Sequence, residues 1–424
     1  MALQPESPNA SNDRGIKLRA SGRLEEAVAV FRAGVESFPN EIALRQNFAQ
    51  ALYESGDTAG AIAQHRTVLA IDEGSTASHL ALYELYQVTG DREASHTHQR
   101  HALERRRLFS AIAQRQARTV LVLCAPGDWQ ANIPVDFLFD RETTTVHKLY
   151  LLDAAHLDRD RLPAYDVAWN AIAESPDAIP YLALAEMILG SQRKPRLNTP
   201  GHVLATSRIL LPHTLASSDA VVTQGAEIAR DRVASAQISF PYPVLVRPVG
   251  SHAGHGLEKL DRAEDLASYV ERNPAERYFV CPFFDYRSSD GYYRKYRIVF
   301  VDGIPYPVHL AISRRWMIHY YNAEMAENAW MREEEARFLA DIRSVFDGER
   351  HRTLLGIADA VRLEYFGIDC ALMPDGRVLV FEADPAMLVH TSDPIELYPY
   401  KREYVPRIFR AVERMIDERK AADT

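Results

Sequence analysis

The chain has 424 residues, of which 47% are hydrophobic, 25% charged and 9% aromatic. These proportions exclude disorder, collagen and coiled coil, and the length suits about two to four domains. A net charge of −9 argues against a broad nucleic-acid footprint but leaves room for a local basic pocket.

The first residues, MALQPESPNASND, lack the basic and apolar regions of a signal peptide. No apolar run reaches the roughly 18–20 residues of a membrane helix. The expectation is a cytoplasmic protein without membrane or nucleic-acid partners.

A repeat follows. Gly22, Gly56 and Gly90 are spaced by 34 residues, each followed by a polar residue (Arg23, Asp57, Asp91). Ala27 and Ala61 keep the same offset, with Ser95 in third place, and Leu18, Leu52 and Tyr86 repeat with it. Glycine permits the backbone that ends one helix, and small residues let helices approach, so the pattern predicts stacked helical pairs. A partner groove or a brace and dimer contact both fit, the latter being preferred. The run 94–117 predicts a capping helix, and its Arg105–Arg107 cluster reads as a solvated face.

At 119–127, TVLVLCAPG is a continuous apolar run closed by a turn, the pattern of a buried parallel strand. Segments 148–153 and 165–173 predict further strands, with a helix over 181–192 between later elements. This alternation predicts an α/β layer whose loops hold ligands, with Asp128, Trp129, Asn170 and Glu174 as candidates.

The chemistry-bearing part begins at Tyr242. A strand over Val244–Val246 ends in Arg247-Pro248, a loop with Gly250, Ser251, Gly254 and Gly256 follows, and a second strand covers Leu257–Leu260. Glycines let backbone N–H groups cradle phosphate oxygens, though a loop between two strands matches neither the Walker nor the dinucleotide fingerprint. The strand RYFVCP offers backbone at Val280 and Cys281 to a purine. Asp302-Gly303 joins two strands in a hairpin. The first carries Lys295 and Arg297 on one face, and Arg314 and Arg315 follow the second. Arginine there can clamp phosphate. Finally, FGIDCALMPDGRVLVFEADPAM predicts a hairpin whose Asp369, Glu382 and Asp384 converge in an apolar setting, a set of oxygens suited to Mg2+. The scattered Cys124, Cys281 and Cys370 read as buried thiols in a reducing compartment.

In this order the segments resemble the ATP-grasp superfamily, in particular RimK-like and glutathione-synthetase-like carboxylate–amine ligases, over roughly 119–415, with the specific motifs within 242–388. The 34-residue period resembles the tetratricopeptide repeat. The resemblance implies an α plus α/β multidomain chain: a tail 1–12, repeats 13–117, a pre-ATP-grasp domain 118–205, a lid subdomain 206–275 and a C-terminal ATP-grasp subdomain 276–424. It implies ATP and Mg2+. Arg208 and Arg247 would contact phosphates, with Gly250, Ser251, Gly254 and Gly256 as the lid loop and Val280 and Cys281 as the adenine hinge. Arg297 and Arg315 would be the catalytic cations, and Asp369, Glu382 and Asp384 the metal ligands. Two departures stand out: arginine replaces the usual lysine at 208 and 247, and Asp384 replaces the usual asparagine.

The activity implied is formation of an acyl phosphate and its capture by an amine, on small-molecule or peptide substrates, in a homodimer. The alternatives are a small-molecule kinase and a repeat-based adaptor on a degenerate nucleotide-binding domain. His309, His319 and His390 are candidate bases. Tyr398, Lys401 and Arg402 mark a candidate acceptor pocket.

Overall fold

The computed structural model describes residues 7–154, 162–251, 254–318 and 323–422. The chain divides into two compact units, the first ending at Phe109 and including Pro126–Asp128, the second holding the remainder.

The described residues of the first unit form six helices: α1 (Pro8–Ala20), α2 (Leu24–Ser37), α3 (Ile42–Glu54), α4 (Thr58–Ile71), α5 (Thr76–Thr89) and α6 (Arg92–Arg105). The 34-residue period has a direct backbone cause. Gly22, Gly56 and Gly90 have φ of 76°, 91° and 79°, and a Cβ at any of them would meet open space, so the positive φ alone calls for glycine. In the second and third units the aspartate that follows caps the next helix. Asp57 accepts the Gly60 N–H at 2.8 Å and Asp91 the Ala94 N–H at 3.1 Å. Ala27, Phe31, Leu44, Ala51 and Ala61 form one core. The capping helix expected over 94–117 is shorter. It ends at Arg105, and the chain extends into a strand from Leu108.

Three sheets follow the helices among the described residues. Strands β1 (Leu108–Ala111), β2 (Arg118–Cys124), β3 (Thr144–Tyr150), β4 (Val167–Asn170) and β5 (Arg196–Leu197) form the first, in the order β1-β3-β2-β4-β5. β2 pairs with β3 and β4 in parallel and is buried from Thr119 onward, which explains its unbroken apolar run.

Two short strands, β6 (Val221–Val222) and β7 (Ala226–Ala229), precede β8 (Val244–Pro248), β9 (Glu258–Leu260) and β10 (Arg277–Pro282). The second sheet has the order β7-β10-β8-β9 and is antiparallel. Four longer strands follow: β11 (Tyr293–Val301), β12 (Ile304–Ser313), β13 (Tyr365–Leu372) and β14 (Val378–Asp384). The third sheet runs β12-β11-β13-β14-β6.

A buried polar bridge ties the first sheet to the third. Asn198 donates through Nδ2 to the Tyr365 carbonyl (2.7 Å) and accepts the Tyr365 N–H through Oδ1 (3.0 Å), while its own carbonyl accepts from Asn170 Nδ2 (3.0 Å). Asn170 is therefore structural rather than a free loop ligand. All three cysteines are buried and unpaired. Among the described residues no helix is long and apolar enough to cross a membrane.

Candidate functional site

Pairing in the third sheet sets up a row of charged side chains. Arg297 stands opposite His309 on one side and Asp369 on the other, and Asp369 stands opposite Glu382. Residues directly across antiparallel strands share a face, so the row lies on one surface. Lys295 is two residues before Arg297 and joins it there. Asp369 receives Arg297 Nε at 2.8 Å, Arg297 Nη2 at 3.0 Å and Lys295 Nζ at 2.9 Å. Its residue is only 3% exposed. Burial opposes its ionisation, but the two cations outweigh that and hold its carboxyl well below the usual range.

Glu382 pairs with Arg208 Nη2 at 3.0 Å. Asp384 lies opposite Gly367 and accepts the Ala386 N–H at 2.7 Å. Burial, and then the negative charge of Glu382, push Asp384 up to about 6. Glu174, at the end of the first sheet, feels both Arg208 and Asp384, and burial raises its carboxyl.

The second sheet contributes Arg247, which is 8% exposed. Its guanidinium donates through Nε to Ser251 Oγ at 3.0 Å and through Nη2 to the Ser251 carbonyl, and no carboxylate pairs with it among the described residues. Burial, with Arg208 nearby, lowers it to about 10. Gly250, Gly254 and Gly256 have φ of 76°, 72° and 65°, and a Cβ at Gly256 would come within 2.7 Å of Pro248 Cδ. His252 and Ala253 of this loop lie outside the described residues.

One cavity of about 230 Å³ joins these groups. Arg208, Arg247, Gly254 and Cys281 line it together with Lys295, Arg297, Asp369 and Glu382. Phe279, Phe283, Trp316 and Phe381 supply apolar wall. Asp384, Gly250, Ser251, Gly256 and Val280 are not in the lining. Arg315 is not either; it lines a neighbouring pocket with Arg314.

The purine edge suggested at Val280 and Cys281 is occupied by the sheet itself. Val280 lies between Ala226 and Val246, and Cys281 lies opposite Leu245. Phe283 N–H bonds the Pro243 carbonyl at 2.9 Å, so odd-numbered residues here point their backbone towards β8. β7 stops pairing at Val280, which leaves the even-numbered positions Pro282 and Phe284 beyond its end. Register along β10, invisible to composition, shifts the open edge by these few residues.

Of the candidate bases, His309 is buried, and burial together with Arg297 and Lys401 holds it neutral, well below its ordinary value. Burial also lowers His390. His319 lies outside the described residues. Lys401 meets Asp393 at 3.0 Å and Glu335 at 3.4 Å, and Glu335 accepts the Tyr400 hydroxyl at 2.5 Å. This buried knot fixes the segment after β14 in place, which sequence spacing did not reveal.

The residues fit a divalent cation in part. Glu382 and Asp384 form a pair of mutually repelling carboxylates, a donor set suited to Mg2+. Asp369 is already neutralised by Lys295 and Arg297. Among the described residues no three His, Cys, Asp or Glu side chains are grouped as a ligand set.

No family model matches the sequence, and a search of curated proteins finds no match. Solved structures do show likenesses. A RimK-domain ATP-grasp protein from Sphaerobacter thermophilus is 14% identical, covering 70% of this chain and 99% of its own, with a TM-score of 0.41. D-alanine–D-alanine ligase from Bacillus anthracis is 10% identical, covering 73% of this chain and 100% of its own, with a TM-score of 0.43. The first tetratricopeptide repeat domain of Spaghetti, bound to an HSP90 peptide, is 17% identical over 25% of this chain and 85% of its own, with a TM-score of 0.23. What the site can do rests on its own geometry.

Proposed function

We propose that the second unit is an ATP-dependent carboxylate–amine ligase. The observation that supports it is the cleft lined by Arg208 and Arg247 together with Lys295, Arg297 and Glu382. A buried guanidinium such as Arg247, without a carboxylate of its own, calls for an anion, and a triphosphate supplies one.

In this reading the adenine lies against the apolar wall, with the Pro282 carbonyl and the Phe284 N–H at its edge. Arg208 and Arg247 hold the phosphates, and the glycine loop excludes water. The substrate carboxylate attacks the γ-phosphorus, the bond to the bridging oxygen breaks, and ADP leaves. Lys295 and Arg297 offset the charge that develops. An amine then attacks the acyl carbon, phosphate departs, and the amine proton is taken up by the departing phosphate. Glu382 and Asp384 would hold Mg2+, which supplies charge neutralisation at the phosphate oxygens. Asp369 would act first as the organiser of Lys295 and Arg297. The helical repeats 13–117 would serve self-association or a protein partner, and the boundaries near 118, 206 and 276 separate the three later modules.

The ion-paired state of Asp369 favours a second reading, a nucleotide-binding adaptor without turnover. ADP release measured with pooled carboxylates and amines separates the two. Substrate-dependent ADP and a new amide support the ligase. A stable phosphorylated product would make the chain a kinase, and ATP binding with no turnover would leave the adaptor.

A further inference from the structure

The carboxylates of the third sheet are not held alike. Glu382 takes one contact from Arg208 Nη2 at 3.0 Å, and the two side chains are 36% and 27% exposed. Asp369 is gripped on both oxygens. Its Oδ1 accepts from Arg297 Nε at 2.8 Å, and its Oδ2 accepts from Arg297 Nη2 at 3.0 Å and Lys295 Nζ at 2.9 Å. The Asp369 side chain is 4% exposed. Arg208 can therefore leave Glu382 for a phosphate without stranding a buried charge, whereas Asp369 cannot give up both of its cations on those terms.

Register builds this cluster into the sheet. Arg297 stands opposite Asp369, and Lys295, two residues back on β11, lies on the same face and reaches Asp369 along the diagonal. Lys295, Arg297, Asp369 and Glu382 all line the cleft. Two cations against one carboxylate leave a positive excess at Asp369. Glu382 and Asp384, two residues apart on β14, bring two negative charges together instead. A divalent cation favours the second setting and is repelled by the first.

We infer that the chain takes one divalent cation with its nucleotide, where three carboxylates would suit two, and that the Lys295 ammonium stands in the place of the second. The inference rests on the nucleotide reading above and specifies how that site supplies its positive charge. An ammonium has three N–H donors, so Lys295 can bridge Asp369 and a phosphate oxygen as a second divalent ion would. Being part of the chain, this charge is in position before the nucleotide arrives.

The test is equilibrium dialysis of the full chain against β,γ-imido-ATP with excess Mn2+, counting bound nucleotide by absorbance and bound manganese by electron paramagnetic resonance. The unsubstituted chain and Lys295→Arg should hold about one manganese ion per nucleotide. Lys295→Met leaves Asp369 paired with Arg297, so the buried carboxylate keeps a counter-charge, and the ratio should rise towards about two. Lys295→Gln serves as a second variant, and melting curves taken alongside show that each variant is folded. Two manganese ions per nucleotide in the unsubstituted chain, or a ratio that stays at one in both folded variants, would overturn the inference and leave the nucleotide reading standing. Failure of the unsubstituted chain to retain any nucleotide would remove that reading and the inference together.

Discussion

Arg297 meets Asp369 twice across neighbouring strands, through Nε at 2.8 Å and Nη2 at 3.0 Å, with Lys295 as a second cation at 2.9 Å. Asp369→Asn would leave two largely buried cations without their counter-charge. Breaking a buried ion pair from one side costs about 3–5 kcal/mol, so urea unfolding at neutral pH should show a loss of that order. The pH dependence follows from the depressed folded-state value. Stability from this group is complete above the unfolded value of about 4 and declines as pH falls below it towards the folded value. The unsubstituted protein should therefore lose stability between about pH 4 and pH 2 more steeply than Asp369→Asn. Equal slopes would show that the pair does not hold the sheet together.

Asp384 has the opposite sign. Its carboxyl is raised to about 6 by burial and by Glu382. The folded chain thus binds this proton more tightly than the unfolded one, and stability falls as pH rises from about 4 to about 6. Without Mg2+ at neutral pH, Asp384→Asn should stabilise by about 1–2 kcal/mol, since it removes one of two repelling charges. In the unsubstituted protein Mg2+ with nucleotide should raise the melting temperature more at pH 7.5 than at pH 5, and Asp384→Asn should abolish most of that difference. A magnesium shift independent of pH and of residue 384 would place the ion elsewhere.

Arg247→Met separates stability from ligand binding. The guanidinium is buried with no carboxylate, so an apolar side chain of similar length should melt at the same temperature or higher. ATP affinity should fall by about tenfold or more, as expected when a charge-assisted contact to phosphate is removed. Differential scanning calorimetry reads the first effect, and filter binding or titration calorimetry with ATP the second. Unchanged ATP affinity would remove Arg247 from the phosphate site.

In the helical unit, a Cβ at Gly15 would lie 2.4 Å from the Phe31 ring. Gly15→Ala should gain helix propensity yet lose about 1–3 kcal/mol by overpacking. The far-ultraviolet melting curve of the full chain should then show an earlier helical transition. An unchanged or later transition would mean that α1 does not pack on Phe31 as described.

Much of this architecture was legible because its causes are local. Gly22, Gly56 and Gly90 announce the repeats through the positive φ that only glycine adopts easily, and the apolar run 119–124 announces a strand buried on both sides. Asp369 and Glu382 could be placed on one hairpin because Pro374-Asp375-Gly376 marks its turn. Non-local features escaped. Nothing in the spacing of Lys295, Arg297 and Asp369 says that the cations would neutralise a carboxylate assigned to metal. Position 281 carries no sign that β7 stops one residue earlier. Arg315 looked like a phosphate clamp because it follows a strand, but the chain leaves the sheet at Arg314 and carries it round the Trp316 wall.

Asn198 is the last case, and it tests how the first and third sheets are joined. Its φ of 54° lies in the left-handed region, while its side chain bonds both backbone groups of Tyr365. Asparagine tolerates that φ better than most residues, and its amide is the one common side chain that both donates and accepts in this geometry. Asn198→Ala keeps the unfavourable φ and leaves a buried N–H and a buried carbonyl without partners, for a loss of about 2–4 kcal/mol. Asn198→Gly breaks the same bonds but relieves the backbone, so it should be less damaging by about 1 kcal/mol. Asn198→Asp can still accept from the Tyr365 N–H but sets a carboxylate against its carbonyl, which should make it the worst of the three at neutral pH and improve it on acidification. Urea unfolding of the three variants gives the order directly. If Asn198→Ala were as stable as the unsubstituted chain, the Asn170–Asn198–Tyr365 bridge would not be what ties the two sheets together.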